Sequence, residues 1–220
     1  MRVEVMKNVL GSNATAAESN RSFWNQHGML ALDLMGSPGS GKTSILEQLV
    51  RELTGRGRSM RVIEGDVASD NDARRIEAAG AEAFQINTGG ACHLHAAMVA
   101  RALQQLDLEG VEVILIENVG NLVCPTAYKL GAHFRIVVAS VPEGDDKPEK
   151  YPVAFRDADV IILNKTDLLP HLAFDADHFW DLAEQLNSSA PQFNISCTTG
   201  EGIEALCDFV ESELAKLTHG

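Results

Sequence analysis

One octapeptide constrains this chain more than any other feature. Gly36-Ser37-Pro38-Gly39-Ser40-Gly41-Lys42-Thr43 follows a short apolar run, Met29 to Met35, and precedes Ile45, Leu46, Leu49 and Leu53 at helical spacing. A G-x-x-x-x-G-K-[ST] segment between a strand and a helix is a phosphate cradle. Its glycines let backbone N–H groups converge, and the helix N-terminus adds partial positive charge. The cradle set is Gly36, Ser37, Gly39, Ser40, Gly41, Lys42 and Thr43. Lys42 is expected to reach the β- and γ-phosphates, and the Thr43 hydroxyl to bind Mg²⁺. The bare pattern arises by chance in roughly one chain of this length in a hundred. The alternative, a glycine-rich turn with an exposed lysine, has no use for the strand before it and the helix after it.

The rest of the chain alternates in the same way. Strands are expected at Met60–Glu64, 83–86, 111–117, 135–139, 160–163 and 193–195. Helices are expected over 70–79, 91–106 and 201–216. Runs as apolar as VEVILIE and VIIL are buried on both faces. The fold class is therefore α/β: a doubly wound, mainly parallel sheet with helices on both faces. Residues 8–27 read as an N-terminal helix before the first strand, which divides the chain into an extension, 1–28, and a nucleotide-binding domain, 29–220.

Composition limits the partners. Lys and Arg number 18 against 31 Asp and Glu, a net charge of −13, with 45% hydrophobic residues. That apolar content excludes disorder as the main state. The acidity argues against nucleic acid and anionic membranes, which need a basic footprint. A phosphate ligand must then be held by a local device. No run is apolar and long enough to span a bilayer, and MRVEVMKNVLG lacks the apolar centre of a secretory signal. With four widely separated cysteines, a cytoplasmic location is expected, with reduced thiols.

Further segments lie where loops should follow strands. Asn164-Lys165-Thr166-Asp167 resembles the N-K-x-D element of GTPases, in which the carboxylate accepts from the guanine ring N–H and amine. Adenine cannot reproduce that pair, so Asp167 would select GTP. Ser196-Cys197-Thr198-Thr199-Gly200 resembles the last guanine-contacting loop, although S-A-K is usual there. Glu117-Asn118-Val119-Gly120 looks like D-x-x-G with Glu for Asp. Glu117 would act on Mg²⁺, and the Gly120 amide would sense the γ-phosphate. Asp66 closes the second strand region as a further magnesium candidate, and Asp72 is a weaker one. Asp70 is better explained as a helix cap. Lys42, Asp66, Glu117 and Gly120 form the expected catalytic set. Asn121 stands where fast GTPases carry a water-orienting Gln, so slow hydrolysis is expected.

Cys92-His93 and Cys124 also fall after strands, whose C-terminal ends share one rim. Two thiolates and an imidazole suit Zn²⁺ or Ni²⁺, although buried structural cysteine is as common a use. His95, two residues on along an expected helix, should point elsewhere, and Cys197 and Cys207 read as structural.

Taken together, GSPGSGKT, EGD with DNDA, NTGGACHLHA, IENVGNLVCP, EGDDKPEKYP and NKTDLL resemble the hydrogenase nickel-incorporation GTPases, the HypB family, from about residue 8 to about 215. The resemblance implies a GTP- or metal-dependent homodimer that helps deliver Ni²⁺ to the large-subunit precursor of a nickel–iron hydrogenase. It implies that Cys92, His93 and Cys124 bind metal between two subunits. It also marks Lys147 as a contact near the nucleotide and the partner. No cysteine precedes Cys92 and there is no His run. Nickel storage is therefore not expected, and a nickel-binding zinc accessory protein becomes the expected source. A urease-type sister protein would carry Cys-Pro-His, and a small-molecule kinase would not need Asn164 to Asp167.

Overall fold

The computed structural model describes residues 2–65 and 70–219, with side chains left out for 2–9, 70–72 and 219. Strands β1 (Leu30–Gly36), β2 (Met60–Glu64), β3 (Glu82–Gln85), β4 (Val113–Glu117), β5 (Phe134–Ser140), β6 (Val160–Asn164) and β7 (Gln192–Ile195) form one sheet. Its order is β3-β2-β4-β1-β5-β6-β7, and every ladder is parallel. The helices are α1 (Arg2–His27), α2 (Lys42–Gly55), α3 (Asp70–Ala79), α4 (Ala96–Leu103) and α5 (Cys124–Ala127). They continue with α6 (Lys147–Lys150), α7 (Pro152–Arg156), α8 (Ala176–Leu186) and α9 (Ile203–His219).

Strand periodicity decides which side chains meet which helices. Leu30, Leu32 and Leu34 of β1 face α2 and α9, packing with Ile45, Leu46, Leu49, Leu53, Leu206 and Val210. Ala31 joins Trp24 of α1 and Val99 of α4 on the opposite face. Met35 meets Phe155 of α7 and Phe179 of α8 on that same side. Leu46, Leu49 and Leu53 are fully buried, each worth about 1.5–3 kcal/mol. Crossovers running toward β3 place α2 and α3 on one face. Those running toward β7 place α4, α7 and α8 on the other, as a single crossover hand requires. The chains leaving β1 and β4, which are neighbours, therefore part to opposite faces. That divergence is the crevice where α/β sheets bind ligands.

The N-terminal helix is fastened by polar contacts. Asn20 Nδ2 donates to the carbonyls of Ala96 and Leu130 at 2.9 and 2.8 Å, and Asn13 Nδ2 to that of Lys129 at 2.8 Å. Arg21 donates to the carbonyls of Gly131 and Ala132. Gly131 has φ +90°, and a Cβ there would overlap the Ala17 carbonyl. Gly131→Ala is expected to cost about 2–4 kcal/mol through strain and displacement of α1. Urea unfolding checks this; an unchanged midpoint would mean that α1 does not need this close approach.

Two expectations change. The helix expected from residue 91 begins at Ala96. Leu94 N–H donates to Asn118 Oδ1 at 3.2 Å and Ala96 N–H to Asn13 Oδ1 at 2.9 Å, so side chains hold the segment off the helix, with His95 extended at φ −104°, ψ 148°. Within it Leu94 is buried while Cys92, His93 and His95 are not. His93 and His95 lie together, with ring centroids 4.4 Å apart, against the expectation that they diverge. The magnesium candidate Asp66 and the side chain of Asp72 lie outside the described residues.

Candidate nucleotide and metal sites

The cradle loop joins β1 to α2. Gly41 precedes the helix at φ +96°, and any Cβ there would overlap Asn164 Nδ2, so glycine is required twice over. Lys42 is 3% exposed, and its Nζ donates to the carbonyls of Gly36 and Ser37, both at 3.3 Å. The Thr43 hydroxyl donates to Glu117 Oε1 at 2.9 Å. Strand pairing sets this contact, since Glu117 ends β4 in register with Leu34 of β1. A hydroxyl and a carboxylate so placed are the hard oxygen donors that suit Mg²⁺. A cavity of about 260 Å³ opens here, lined by Gly39, Gly41, Lys42, Thr43, Arg75, Glu117 and Lys165.

The base loop supports the cradle from below. Asn164 Nδ2 donates to the Ser40 carbonyl at 2.9 Å, and Lys165 Nζ to that of Gly39 at 2.7 Å. Lys165 is the one non-glycine residue with positive φ among the described residues, at 62°. Asp167 Oδ1 accepts from Ser196 Oγ at 2.7 Å, and Ser196 Oγ also accepts from Thr199 N–H at 3.2 Å. The two loops expected to hold a base are thus joined, with one carboxylate oxygen fixed. Cys197 Sγ lies 3.8 Å from Asn164 Oδ1, and burial pushes its thiol up to about 11. Cys207, fully buried in α9, is pushed up to about 11 by the same cause. Neither is poised as a thiolate.

Lys147 is buried within its own chain. Its Nζ donates to Ser37 Oγ at 2.9 Å, pairs with Glu143 Oε1 at 2.9 Å and lies 4.6 Å from the Tyr151 ring centre. In this arrangement it supports the cradle from the same subunit.

Cys92, His93 and Cys124 converge, with ligand atoms all within 4.8 Å of one another. Cys92 Sγ is 3.4 Å from His93 Nδ1, while His93 Nε2 is buried without a hydrogen-bond partner. Hydrogen bonding to Cys124, then burial, raises the Cys92 thiol. Burial, then His95, lowers the His93 imidazole. A soft, proton-releasing set of this kind fits Zn²⁺ or Ni²⁺.

Asp33, Tyr128 and Arg75 escaped the sequence reading, while Asn118 and Asn121, read there for other reasons, make contacts it did not foresee. Asn118 Oδ1 accepts from both Leu94 and Val119 N–H groups, and its Nδ2 donates to buried Asp33 at 3.0 Å. Burial raises that carboxyl to about 6, against Arg135 and Asn118. Asn121 Nδ2 donates to the Cys92 carbonyl at 3.4 Å, and Asn121 itself bridges to Gly36. Tyr128 stacks on His93 at 3.9 Å. Arg75 reaches Ser44 and Glu47 at the cavity mouth. Asp33, Tyr128 and Arg75 carried no signal, because their placement is purely tertiary.

A parallel sheet with this loop after β1 defines a P-loop nucleoside triphosphate-binding protein, here with a Cys-His-Cys group beside it. Residues 30–194 match the nucleotide-binding domain of CobW/HypB/UreG proteins. The hydrogenase maturation factor HypB of Rhizobium leguminosarum bv. viciae is 46% identical over 97% of this chain and 71% of its own. The crystal structure of Helicobacter pylori HypB in complex with nickel superposes with TM-score 0.88 at 38% identity, covering 93% of this chain and 96% of that one. That of Archaeoglobus fulgidus HypB gives 0.87 at 37%, covering 93% and 99%. The chain belongs to the HypB family of hydrogenase maturation factors.

Proposed function

We propose that this protein is a cytoplasmic GTPase that hands nickel to the large-subunit precursor of a nickel–iron hydrogenase, acting as a homodimer and receiving nickel from a zinc-containing accessory protein. One observation carries the reading. The segment Glu117 to Cys124 begins at the Thr43 hydroxyl and ends in the Cys-His-Cys group. Along it, Gly120 packs so closely on Pro38 that a Cβ would sit 2.9 Å from the proline Cγ.

In this reading Lys42 and the loop amides bind the phosphates, Thr43 and Glu117 hold Mg²⁺, and the Gly120 amide senses the γ-phosphate. Asn164, Lys165, Asp167, Ser196 and Cys197 surround the base. Hydrolysis shifts the segment and with it the Cys124 thiolate, which changes metal affinity. Asp66 and Asp72 complete the proposed set, and Lys147 steadies the cradle from within its own chain. With Asn121 beside Gly120, turnover stays well below about 10 s⁻¹.

Nucleotide titration tests the base reading. A guanine-specific pair of charged hydrogen bonds predicts GTP over ATP by about a hundredfold or more. Asp167→Asn replaces one acceptor by a donor facing the guanine amine, so the preference collapses and xanthosine triphosphate gains. Equal binding of ATP and GTP to the unaltered protein would exclude the GTPase reading.

A further inference from the structure

Metal affinity can follow the nucleotide only when Cys124 moves against Cys92 and His93, not together with them. We infer that the Asn118 side chain is the fixed point for that movement: a positioning residue that pins the Cys92–His93 side of the metal group to the sheet while the segment beyond it shifts. The inference rests on the metal site and the coupling proposed above, and names the residue on which that coupling depends.

Three side-chain bonds fix the amide. Its Nδ2 donates to Asp33 Oδ1 of β1 at 3.0 Å, and its Oδ1 accepts from Leu94 N–H at 3.2 Å and Val119 N–H at 3.0 Å. Two N–H groups facing one atom require oxygen there, so the amide has a single orientation. Its backbone N–H donates to the Leu34 carbonyl at 3.0 Å. Asn118 and Leu94 are fully buried and Asp33 is 2% exposed, so each of these bonds is costly to leave unmade. Leu94 is also held by packing: it joins Ile63 and Ile116 in the core, and a Cβ on Gly65 would sit 2.5 Å from its Cδ1. His93 is the residue immediately before this anchor.

The far end of the segment is held differently. Val123 is 64% exposed, Cys124 is half-buried, and the bond from Asn121 Nδ2 to the Cys92 carbonyl lies at the surface and is long at 3.4 Å. Gly120 stands between the two ends, against Pro38 of the cradle. A γ-phosphate that draws on Gly120 therefore pulls against a held Asn118 on one side and a loosely held Cys124 on the other. Cys124 shifts and His93 stays. With the Asn118 side chain removed, residues 92–94 follow the metal and absorb the movement.

The experiment uses the full chain. Competition against a chromophoric chelator gives the Ni²⁺ dissociation constant in the GDP form and in the GTP-analogue form, and the ratio of the two measures the coupling. Asn118→Ala should bring that ratio to within about twofold of one. It should weaken Ni²⁺ by no more than about tenfold in either form, because the three ligands remain. The exchanged pair, Asp33→Asn with Asn118→Asp, reverses the bond between the two side chains and keeps an oxygen toward Leu94 and Val119, so it should restore the ratio. A merely structural role would weaken Ni²⁺ alike in both forms and leave the ratio where it was. An unchanged ratio in Asn118→Ala, or a lost ratio that the exchanged pair does not restore, would overturn the inference and leave the metal site standing. Amide exchange on the unaltered protein needs no variant. Leu94 N–H should be protected by about a hundredfold or more and equally in the two nucleotide forms, while Val123 N–H differs between them. Fast exchange at Leu94, or protection there that follows the nucleotide, would overturn the inference even where Asn118→Ala does not fold. A ratio of one in the unaltered protein would instead end the coupling itself, and the inference with it.

Discussion

Lys42→Ala should abolish tight nucleotide binding, raising the dissociation constant for a non-hydrolysable GTP analogue by two to three orders of magnitude. The ammonium is 3% exposed and sits at the head of α2, inside the loop it will share with the phosphates. A charge-assisted hydrogen bond in such a place is worth about 1.5–3 kcal/mol, and two of them give about 3–4 kcal/mol after the loss of the Gly36 and Ser37 carbonyl contacts. Each 1.4 kcal/mol is tenfold in affinity. Folding should survive, because removing a buried cation also removes its desolvation penalty. Calorimetric titration at constant salt reads the effect, with thermal unfolding as the control. Binding within threefold of the unaltered protein would show that the loop amides alone hold the phosphates.

The second large effect is at the metal. Cys124→Ala should lower affinity for Ni²⁺ or Zn²⁺ by about a hundredfold or more, since a structural zinc site worth about 10–16 kcal/mol over four ligands loses roughly 3 kcal/mol with one. GTP binding should be little changed, because the Thr43–Glu117 contact does not involve Cys124, which lies seven positions beyond Glu117. In the unaltered protein nickel affinity should also differ between the GDP and GTP-analogue forms, and that difference should vanish in the variant. Competition against a chromophoric chelator measures both. Full metal binding by Cys124→Ala would remove Cys124 from the site. Identical affinities in the two nucleotide forms would leave the site intact and end the coupling.

Much of this architecture could be read from residue order. The cradle, the apolar strands and Asn164 to Asp167 are local patterns, and a local pattern survives in a one-dimensional text. The start of α4 was not legible, because the competing interaction came from Asn118 and Asn13, distant in sequence and adjacent only in the folded chain. Propensity favoured a helix from Ala91, and tertiary hydrogen bonds overrode it. The same reason hid the His93–His95 contact and the role of Tyr128. Cys92, His93 and Cys124 were individually visible but not, from spacing, distinguishable from buried structural cysteines. Their convergence depends on loops from β3 and β4 meeting over the intervening β2.

The cradle has a last consequence, for the heat of the reaction it would host. Three lysines already rest on its oxygens: Lys42 on the Gly36 and Ser37 carbonyls, Lys165 on that of Gly39, and Lys147 on the Ser37 hydroxyl. An arriving nucleotide meets cations that are already partnered, Lys42 and Lys147 buried and Lys165 still partly exposed, so each new bond to phosphate replaces an old one to the protein. Capture is then a partner exchange with a small enthalpy, driven by the greater charge on phosphate than on a carbonyl and by the water and counter-ions set free. Around that lysine-lined pit the protein carries a net charge of −13, so its long-range field repels the ligand that its short-range contacts retain. Added salt screens that repulsion first, and encounter becomes faster in salt.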